Sequence, residues 1–357
     1  MARTVLAVTA AAVIFAGVAA QQVPIRYVPA DLQNTPWLQR LAAAQVKAAA
    51  GLAAFHDFQF TDRLAESGIS FKYRIVDDAG KSYKAAHYDH GTGIAIADVD
   101  GDGRSDIYFV SQVGGNQLWR NLGGGRFADI TGSAGVAVPG KVSVSASFAD
   151  IDNDGDADLY VTTVRGGNLL FENDGAGRFR DISVASGVNH IGHSSAAVFF
   201  DYDRDGRLDL FLVNVGRYTT NTLAGDTDKY YVAFEDAFHG HLKPERAERK
   251  ILYRNLGKNR FADVTRRVGL RDLSWAGDAS AIDVNEDGWL DLYVLNMLGD
   301  NNYYENVRGT RFVKKSRQVF PRTSWGAMGI KVFDFNNDGR LDIFITDMHS
   351  DMSEPIG

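Results

Sequence analysis

Five nine-residue segments of the chain share the pattern Asp-x-Asp/Asn-x-Asp-Gly-x-x-Asp. They begin at Asp98, Asp150, Asp201, Asp283 and Asp334, and we call them loops 1 to 5. Oxygen atoms from the side chains at positions 1, 3, 5 and 9 and from the carbonyl of position 7 can surround one hard cation, while glycine at position 6 permits a sharp turn. Calcium takes six to eight oxygen ligands in flexible geometry, so the pattern predicts about five calcium ions.

The predicted metal ligands are the residues at positions 1, 3, 5, 7 and 9 of each loop. They are Asp98, Asp100, Asp102, Arg104, Asp106, Asp150, Asp152, Asp154, Asp156, Asp158, Asp201, Asp203, Asp205, Arg207, Asp209, Asp283, Asn285, Asp287, Trp289, Asp291, Asp334, Asn336, Asp338, Arg340 and Asp342. Position 7 contributes its backbone carbonyl. Because carboxylates crowded into nine residues repel one another, the composition favours a bound cation over simple Asp-Gly turns. Magnesium prefers a tighter octahedral site and is the weaker candidate.

The residues after each loop exclude a helical calcium motif. An EF-hand needs glutamate at position 12, where these loops carry Phe109, Val161, Leu212, Val294 and Ile345. The surrounding β-branched and aromatic residues predict a strand instead of a helix. We therefore expect each loop to be a turn within a β-sheet, and each ion to hold that turn within its own sheet.

The elements that position the loops repeat with a period near 51 residues. Successive loops start 52, 51, 82 and 51 residues apart. An aromatic residue follows the loop start by 21 residues in repeats 1, 2 and 4 and by 52 in repeat 3 (Trp119, Phe171, Tyr304 and Tyr253), so repeat 3 holds an insertion of 31 residues, about 218–249. Each repeat contains four short strand patterns. Units of this size are typical of the blades of a β-propeller, whereas a linear β-solenoid usually has shorter repeats.

A closing segment of the form Phe-x-Asp ends repeats 1 to 3, at Phe127, Phe179 and Phe261, and Phe60–Ile69 resembles it. We expect this N-terminal copy to be a strand that helps to close a ring. After Asp342 only fifteen residues remain, and they contain no aromatic segment. The sequence therefore predicts an all-β propeller of four-stranded blades over 58–357 that is incomplete, either as part of a longer product or as an open propeller.

The N-terminal residues indicate export. Arg3 precedes the apolar, alanine-rich run Val5–Val18, and small residues lie before Gln21, so 1–20 are predicted to be a signal peptide. The run is too short for a confident membrane span, and we expect no membrane insertion after cleavage. A segment at 21–57 is predicted to contain a short helix over 35–55. The expected location is secreted or periplasmic.

Composition restricts the partner. The chain has 357 residues, a formal net charge of -7 and no cysteine. The negative charge argues against nucleic acid, which requires a basic surface, and disulfide frameworks and cysteine-based catalysis are excluded. The remaining partners are protein or glycan, of unidentified structure.

Histidines and tryptophans at matching positions could form a rim at one mouth of a propeller channel. His87 and His90 precede loop 1 by 11 and 8 residues, and His190 and His193 precede loop 3 by the same distances. Trp275 takes the matching position before loop 4, and Trp325 lies one residue from it before loop 5. Such a rim could hold a transition metal or stack on a sugar ring; packing is the alternative.

The chain lacks common catalytic signatures. Neither a Gly-x-Ser-x-Gly segment, a phosphate-binding loop nor a His-Glu-x-x-His segment is present. The expected function is a binding or interaction module of the adhesion type, without enzymatic activity. The alternative is a calcium-dependent polysaccharide lyase, which needs a basic side chain such as Lys141 or Arg165 beside a histidine or tyrosine base.

The loops, together with the segments Leu252–Asn255 and Phe127–Thr131, resemble the FG-GAP or VCBS repeats of integrin α-subunit propellers. Closer similarity is to bacterial members of the cartilage acidic protein (ASPIC/UnbV) family, over about 60–350. The resemblance implies a seven-bladed, calcium-binding propeller that is often followed by a C-terminal ASPIC/UnbV domain. It implies nothing about the ligand.

Overall fold

The structure is a computed structural model that describes residues 40, 43, 44, 47, 60–76, 93–223 and 231–347. The chain divides into two compact units, 1–58 and 59–357. In the first unit the four described residues are helical, and the predicted signal peptide lies outside the described residues. None of the described helices is both long and apolar enough to cross a bilayer.

The second unit is built from antiparallel sheets, which we call blades 1 to 5 in chain order. Blades 1 to 4 have four strands each, and blade 5 has two strands among the described residues. The strands are β1 (Ile94–Ala97), β2 (Asp106–Phe109), β3 (Gln117–Gly123), β4 (Arg126–Asp129), β5 (Ser143–Ala149), β6 (Asp158–Thr163), β7 (Leu169–Asn173), β8 (Phe179–Asp181), β9 (Ser194–Phe200), β10 (Asp209–Asn214), β11 (Thr219–Leu223), β12 (Tyr231–Ala233), β13 (Ile251–Asn255), β14 (Phe261–Asp263), β15 (Ala276–Ile282), β16 (Asp291–Asn296), β17 (Asn302–Val307), β18 (Arg311–Lys314), β19 (Ala327–Phe333) and β20 (Asp342–Asp347).

The four complete blades share one register. The aromatic residue of each third strand pairs with the residue that follows position 9 of the loop: Ile107 with Trp119, Leu159 with Phe171, Leu210 with Tyr253, and Leu292 with Tyr304. All four aromatic side chains are buried. Because blade 3 keeps the same pairing, its 31-residue insertion leaves the sheet unchanged.

The first strands of consecutive blades contact one another in order, from β1 through β5, β9 and β15 to β19. Hydrogen bonds join them; the hydroxyl of Ser147 donates to the carbonyl of Ala197 at 2.8 Å, and that of Ser195 donates to the carbonyl of Ala276 at 3.2 Å. First strands are therefore innermost. This radial order of four-stranded sheets confirms the predicted all-β propeller.

The hydrophobic core lies between neighbouring blades. Tyr108 and Leu118 of blade 1 pack in one cluster with Leu159 and Phe171 of blade 2. Fully burying one such side chain contributes about 1.5–3 kcal/mol. A single blade would expose this surface, so each blade depends on its neighbour.

In blades 1, 2 and 4 the closing segment folds as a strand followed by a helix of one turn, and in blade 3 a turn replaces the helix. The helices are α1 (Leu64–Ser67), α2 (Thr131–Ala134), α3 (Ser183–Ser186) and α4 (Ser316–Val319). In the N-terminal copy the helix forms, and the N–H of Leu64 donates to the Asp62 carboxylate at 2.9 Å. Residues 60–63 form no strand, so the predicted N-terminal closing strand is wrong. A strand requires a paired neighbour, and none of the described strands lies beside these residues.

The insertion of blade 3 forms its own small structure. β11 pairs with β12, and two 3-10 helices follow at Ala237–Leu242 and Pro244–Arg246. Since β10 leads into the insertion, the insertion lies at the end of the blade opposite loop 3. We call this the insertion end, and the end carrying the acidic loops the loop end.

Candidate functional site

Each acidic loop connects the first and second strands of its blade. Position 4 adopts a left-handed backbone in all five loops, including Asn153 at φ 63° and Glu286 at φ 57°. The glycine at position 6 is also left-handed, with φ from 81° in Gly103 to 97° in Gly155. Space around Gly103 and Gly155 is open, so the backbone conformation is what requires glycine there.

The first aspartate closes the turn. In loop 1 the N–H groups of Asp102 and Gly103 donate to the two carboxylate oxygens of Asp98, at 3.1 and 2.7 Å. The same pair of bonds occurs in the other four loops, at 2.7–3.2 Å. One sequence pattern thus produces one turn five times.

The aspartate at position 9 anchors the loop to the sheet. Asp106, Asp158, Asp209 and Asp291 are all buried. In loop 1 the Asp106 carboxylate accepts the N–H of Val99 at 3.0 Å and the N–H of Asn121, in β3, at 2.7 Å.

Carboxylates converge within the loops. In loops 1, 2 and 3 one oxygen from each of positions 1, 3 and 9 lies within 4.8 Å of the others. At position 3 the Oδ1 atoms of Asp100, Asp152 and Asp203 are buried and have no hydrogen-bond partner. A buried carboxylate oxygen without a donor is costly, and the same atom is left so in three loops. This donor set fits a hard cation.

Arginine side chains contact the other oxygens of these carboxylates. Nε of Arg254 lies 2.6 Å from Oδ2 of Asp203, and Nη1 of Arg120 lies 3.5 Å from Oδ2 of Asp100. At position 7 of loop 1, the Arg104 guanidinium pairs with Asp102. The arginines therefore neutralise part of the charge and leave the position-3 Oδ1 atoms unpaired.

Burial shifts the acidity of the anchoring aspartates. It raises the pKa of both Asp158 and Asp209 to about 7, although backbone N–H donors lower it and neighbouring carboxylates raise it further. Burial also raises the pKa of Asp106 and Asp291. Carboxylates that resist ionisation in this way are stabilised in their charged form by a nearby cation.

Loops 4 and 5 have the same backbone but less charge. The amides of Asn285 and Asn336 each donate to the position-5 aspartate at 3.1 Å. Their amide oxygens accept the N–H of the same aspartate, at 3.2 and 3.1 Å, and carry no charge. Asp342 in loop 5 is half-buried, whereas its four counterparts are buried.

The predicted histidine and tryptophan rim lies at the insertion end. His193 and Trp275 directly precede β9 and β15, and Trp325 precedes β19 by two residues. His190 is half-buried, and burial lowers its pKa. Trp325 is 49% exposed. His87 and His90 lie outside the described residues.

His193 joins both ends of the insertion. Its Nδ1 lies 2.7 Å from Oε1 of Glu248, and its Nε2 lies 2.8 Å from Oγ1 of Thr219. The His193 N–H also donates to Glu248 at 2.7 Å. Burial raises the pKa of Glu248, but the contacts with His193 outweigh it and the net pKa is lowered. The ring nitrogens of His193 are thus both engaged within the protein.

Trp275 lies beneath the insertion and is 2% exposed. A Cβ atom on Gly240 would lie 2.2 Å from Cη2 of Trp275, and one on Gly216 would lie 2.6 Å from its Cε2. Glycine is needed at both positions because the ring packs directly on the backbone. Trp275 also belongs to an apolar cluster with Val144, Val164, Val215, Tyr218, Ala237 and Met297.

Basic side chains named for the lyase alternative are engaged by their neighbours. Arg165 stacks on Tyr231 with its Cζ 3.7 Å from the ring centroid, and it donates to Thr219 at 3.3 Å and Asn221 at 3.0 Å. The Lys141 ammonium donates to the carbonyl of Gly166, between β6 and β7. Arg165 therefore lies beside a tyrosine, with its donors directed to the insertion.

Sequence reasoning missed a carboxylate on the innermost strands. Asp278 lines a cavity of about 230 Å³ between those strands and accepts the N–H of Ile330, in the next blade, at 3.3 Å. The equivalent positions in the other blades hold Gly93, Ser145, Ala196 and Gly329. Each of these residues lies five positions before the start of its loop, so the sequence does show that only blade 4 has a carboxylate there. Nothing in the sequence shows that this position faces the cavity.

Comparison with known families identifies the repeats. A family model described as the FG-GAP-like repeat matches residues 98–161, 150–212 and 283–345. Each match starts at an acidic loop and ends in the second strand of the following blade, so the matched unit contains two loops.

Curated relatives include cartilage acidic protein 1. The human protein is 29% identical over 157 residues, and the protein of Xenopus tropicalis is 30% identical over 152 residues. Each match covers 42% of this chain and 23% of the relative. The chain therefore matches less than a quarter of the length of these relatives.

Solved structures with a related shape are more distant. One is an Agrocybe aegerita lectin that recognises non-reducing terminal N-acetylglucosamine, with a TM-score of 0.38 and 18% identity over 71% of this chain and 60% of the lectin. Another is the V. cholerae biofilm matrix protein Bap1, with a TM-score of 0.37 and 14% identity over 72% of this chain and 34% of Bap1.

Proposed function

We propose that this FG-GAP repeat propeller, similar to cartilage acidic protein 1, is a calcium-stabilised binding module that acts outside the cytoplasm. The single observation that carries the calcium proposal is the buried, unpaired Oδ1 at position 3 of loops 1 to 3. Three separate loops leave the same atom without a donor, and a cation is the partner that suits it.

Each ion would be held by the side chains at positions 1, 3, 5 and 9 and by the carbonyl of position 7. Calcium would offset the repulsion between the carboxylates and so stabilise the turn between the first two strands. Because affinity rises with the number of charged ligands, loops 4 and 5, with Asn285 and Asn336, should bind more weakly than loops 1 to 3.

Export is supported by the N-terminal sequence. Arg3 and the apolar run at 5–18 have the charge and length of a signal peptide. Calcium-dependent stability suits an extracytoplasmic location, where calcium is abundant, and the absence of cysteine is consistent with ions in place of disulfides.

The proposed partner is a protein or a glycan, held at the insertion end. The loop end repeats one geometry, whereas the insertion end differs from blade to blade, and variable surfaces on a rigid scaffold commonly carry recognition. It offers Trp325 at 49% exposure and an open cleft along β12, lined in part by Thr222, Val232 and Glu235. His190, His193 and Trp275 would then act by holding the insertion in place.

Titration of calcium into the chelator-treated protein tests the metal proposal. Four or five ions should bind, and the melting temperature should rise with calcium, because ligand binding to the folded state alone contributes about 2.7 kcal/mol per site at a hundredfold excess over Kd. The variant Asp152→Asn should weaken calcium binding in loop 2, because it gives this loop the neutral amide that loops 4 and 5 carry at position 3. Asp156→Asn is the matched control, since it makes the same change in the same loop at a position that offers only its carbonyl.

Two outcomes would contradict the proposal: no stoichiometric calcium binding, or equal weakening of calcium binding in Asp152→Asn and Asp156→Asn. Partner classes can be screened on glycan and protein arrays with and without calcium. Trp325→Ala should weaken any specific binding at the insertion end. Release of unsaturated products from an acidic polysaccharide, followed by ultraviolet absorbance, would instead favour the lyase alternative.

A further inference from the structure

An asparagine ends the core of the third strand in each complete blade. Asn121, Asn173 and Asn306 follow the loop start by 23 residues, and Asn255 is their counterpart in the blade with the insertion. Asn173, Asn255 and Asn306 are buried, at 4%, 0% and 0% exposure. Their sequence pattern alone indicates core or turn positions that take no part in a binding site.

Each asparagine contacts the loop of its own blade through its backbone. The N–H of Asn173 donates to Oδ1 of Asp158 at 2.8 Å, and that of Asn255 donates to Oδ1 of Asp209 at 2.7 Å. In blade 4 the corresponding bond runs from Asn306 to the position-9 aspartate, also at 2.7 Å. The asparagine thus holds one oxygen of a predicted calcium ligand.

The side chain of the same residue reaches the loop of the preceding blade. Nδ2 of Asn173 donates to the carbonyl of Val99 in loop 1 at 2.9 Å. Nδ2 of Asn255 donates to the carbonyl of Ile151 in loop 2 at 2.7 Å, and Nδ2 of Asn306 donates to a carbonyl in loop 3 at 2.8 Å. The accepting residue is position 2 in every case.

The backbone of the position-2 residue completes the connection between neighbouring loops. Its N–H donates to Oδ2 of the position-9 aspartate in its own loop, as Ile151 does to Asp158 at 3.1 Å. Asp158 therefore accepts one bond from Asn173 and one from Ile151, and Ile151 in turn accepts from Asn255. The pattern repeats, so hydrogen bonds run without a break through the position-9 aspartates, listed in order as Asp106, Asp158, Asp209 and Asp291.

Direct side-chain contacts also join consecutive loops. Nδ2 of Asn153, at position 4 of loop 2, donates to the carbonyl of Gly206, at position 6 of loop 3, at 2.9 Å. The Cζ atom of Arg204 in loop 3 lies 5.4 Å from the ring centroid of Trp289 in loop 4.

We propose that the asparagines of the third strands couple neighbouring calcium sites, so that an ion in one loop raises the affinity of the next. The inference rests on the proposed calcium binding. An ion that fixes the position-9 aspartate also fixes the position-2 residue whose N–H is bonded to it. The carbonyl of that residue is the acceptor for the next asparagine, whose N–H orients the next position-9 aspartate. Ordering one site therefore lowers the cost of ordering its neighbour.

Loop 4 offers a site-specific signal for a test. Trp289 occupies position 7, where its carbonyl is a predicted ligand, so its indole can sensitise the luminescence of a terbium ion bound in that loop. Terbium, a hard cation with oxygen preference, is the probe, and the signal lost in Trp289→Phe belongs to loop 4. Asp203→Asn weakens binding in loop 3 without removing a backbone acceptor. Asn306→Ala cuts the connection between loops 3 and 4.

The expected result is that Asp203→Asn raises the terbium midpoint of loop 4 about fivefold, the lower end of typical coupling between sites. In the Asn306→Ala background the same change should have no further effect. Asn121→Ala is the matched control. It removes the same bonds within a blade, to Ser105 and Gly123, while no described loop precedes blade 1, and it should leave the loop 4 midpoint unchanged.

An unchanged midpoint in Asp203→Asn, with terbium still bound at loop 4, would overturn the coupling and leave the calcium proposal standing. Failure of terbium to bind at loop 4 would overturn both. If Asn306→Ala does not fold, the loop 4 midpoint of Asp203→Asn alone decides: a raised midpoint supports coupling, and an unchanged one contradicts it.

Discussion

The two ends of the same blades are stabilised in opposite ways. At the loop end, charge is concentrated and locally repulsive, and five loops share one geometry. At the insertion end, side chains such as Trp275 and Val215 form an apolar cluster, and charged groups are paired. Lys250 and Asp272, for example, lie 3.6 Å apart with side chains 1% exposed. Under the calcium proposal the loop end depends on an external ion, whereas this buried pair of the insertion end is satisfied within the protein.

This contrast suggests a division of roles. The loop end can be repeated from blade to blade because each loop contains its own carboxylates and its own turn. An end that differs in every blade cannot, because its contacts come from distant parts of the chain. We infer that the first end supplies rigidity and the second supplies recognition.

The largest expected change in the free energy of unfolding tests whether the insertion end is stable without calcium. Lys250→Met leaves Asp272 buried without its cation, and breaking a buried ion pair in this way costs about 3–5 kcal/mol. The loss should be the same with calcium or chelator, measured by denaturant unfolding. The double variant Lys250→Met/Asp272→Leu should recover part of it. A loss present only in chelator would contradict the separation of the two ends.

A second prediction uses pH to separate the contribution of the loop-end carboxylates to stability. Asp158 and Asp209 have folded pKa values of about 7, above the ordinary value of 3.8, so the folded state binds protons that the unfolded state releases. Stability of the chelated protein should therefore fall as pH rises from 5.5 to 8, by about 2 kcal/mol for each residue.

Calcium should reverse this trend, since the ion favours the ionised form and binds more tightly as pH rises. Thermal unfolding at both pH values, with calcium and with chelator, measures the effect. Chelated protein that gains stability as pH rises over this range would show that the carboxylates are already compensated without an ion.

A third, smaller effect tests how closely the insertion packs. Gly240→Ala places a methyl group against the ring of Trp275, and overpacking of this kind costs about 1–3 kcal/mol. Calcium stoichiometry should not change. Gly132→Ala, in α2, is the control, because nothing lies within 4 Å of its added methyl group. Equal melting temperatures for the two variants would mean that the insertion does not rest on Trp275.

The smallest effect concerns an exposed member of the rim. Trp325→Ser should alter stability by less than about 0.5 kcal/mol, because the side chain is 49% exposed and surface changes are usually small. Differential scanning calorimetry with calcium checks this. A larger loss would place Trp325 in the core of blade 5 and remove it from the proposed binding surface.

Much of the loop end could be predicted because its contacts are local. The turn of each loop, the glycine at position 6 and the strand after each loop are confirmed. The aromatic residues that repeat at the same spacing, Trp119, Phe171, Tyr253 and Tyr304, occupy one register position. Their partners lie within one repeat, where spacing is informative. The signal peptide, the bound calcium and the ligand remain predictions. The prediction of an N-terminal closing strand was wrong, because a sequence pattern typical of a strand does not ensure that a neighbouring strand is present to pair with it.

The sequence by itself determined the donor types and the turn of each acidic loop, since these follow from residues within one nine-residue segment, and it determined the repeat because that segment recurs. Tertiary structure alone decided which loops touch and what covers the rim. Asn255 reaches a residue 104 positions away, and His193 reaches one 55 positions away. Such contacts exist only after the blades have packed radially, because neither partner carries a local signal for the other.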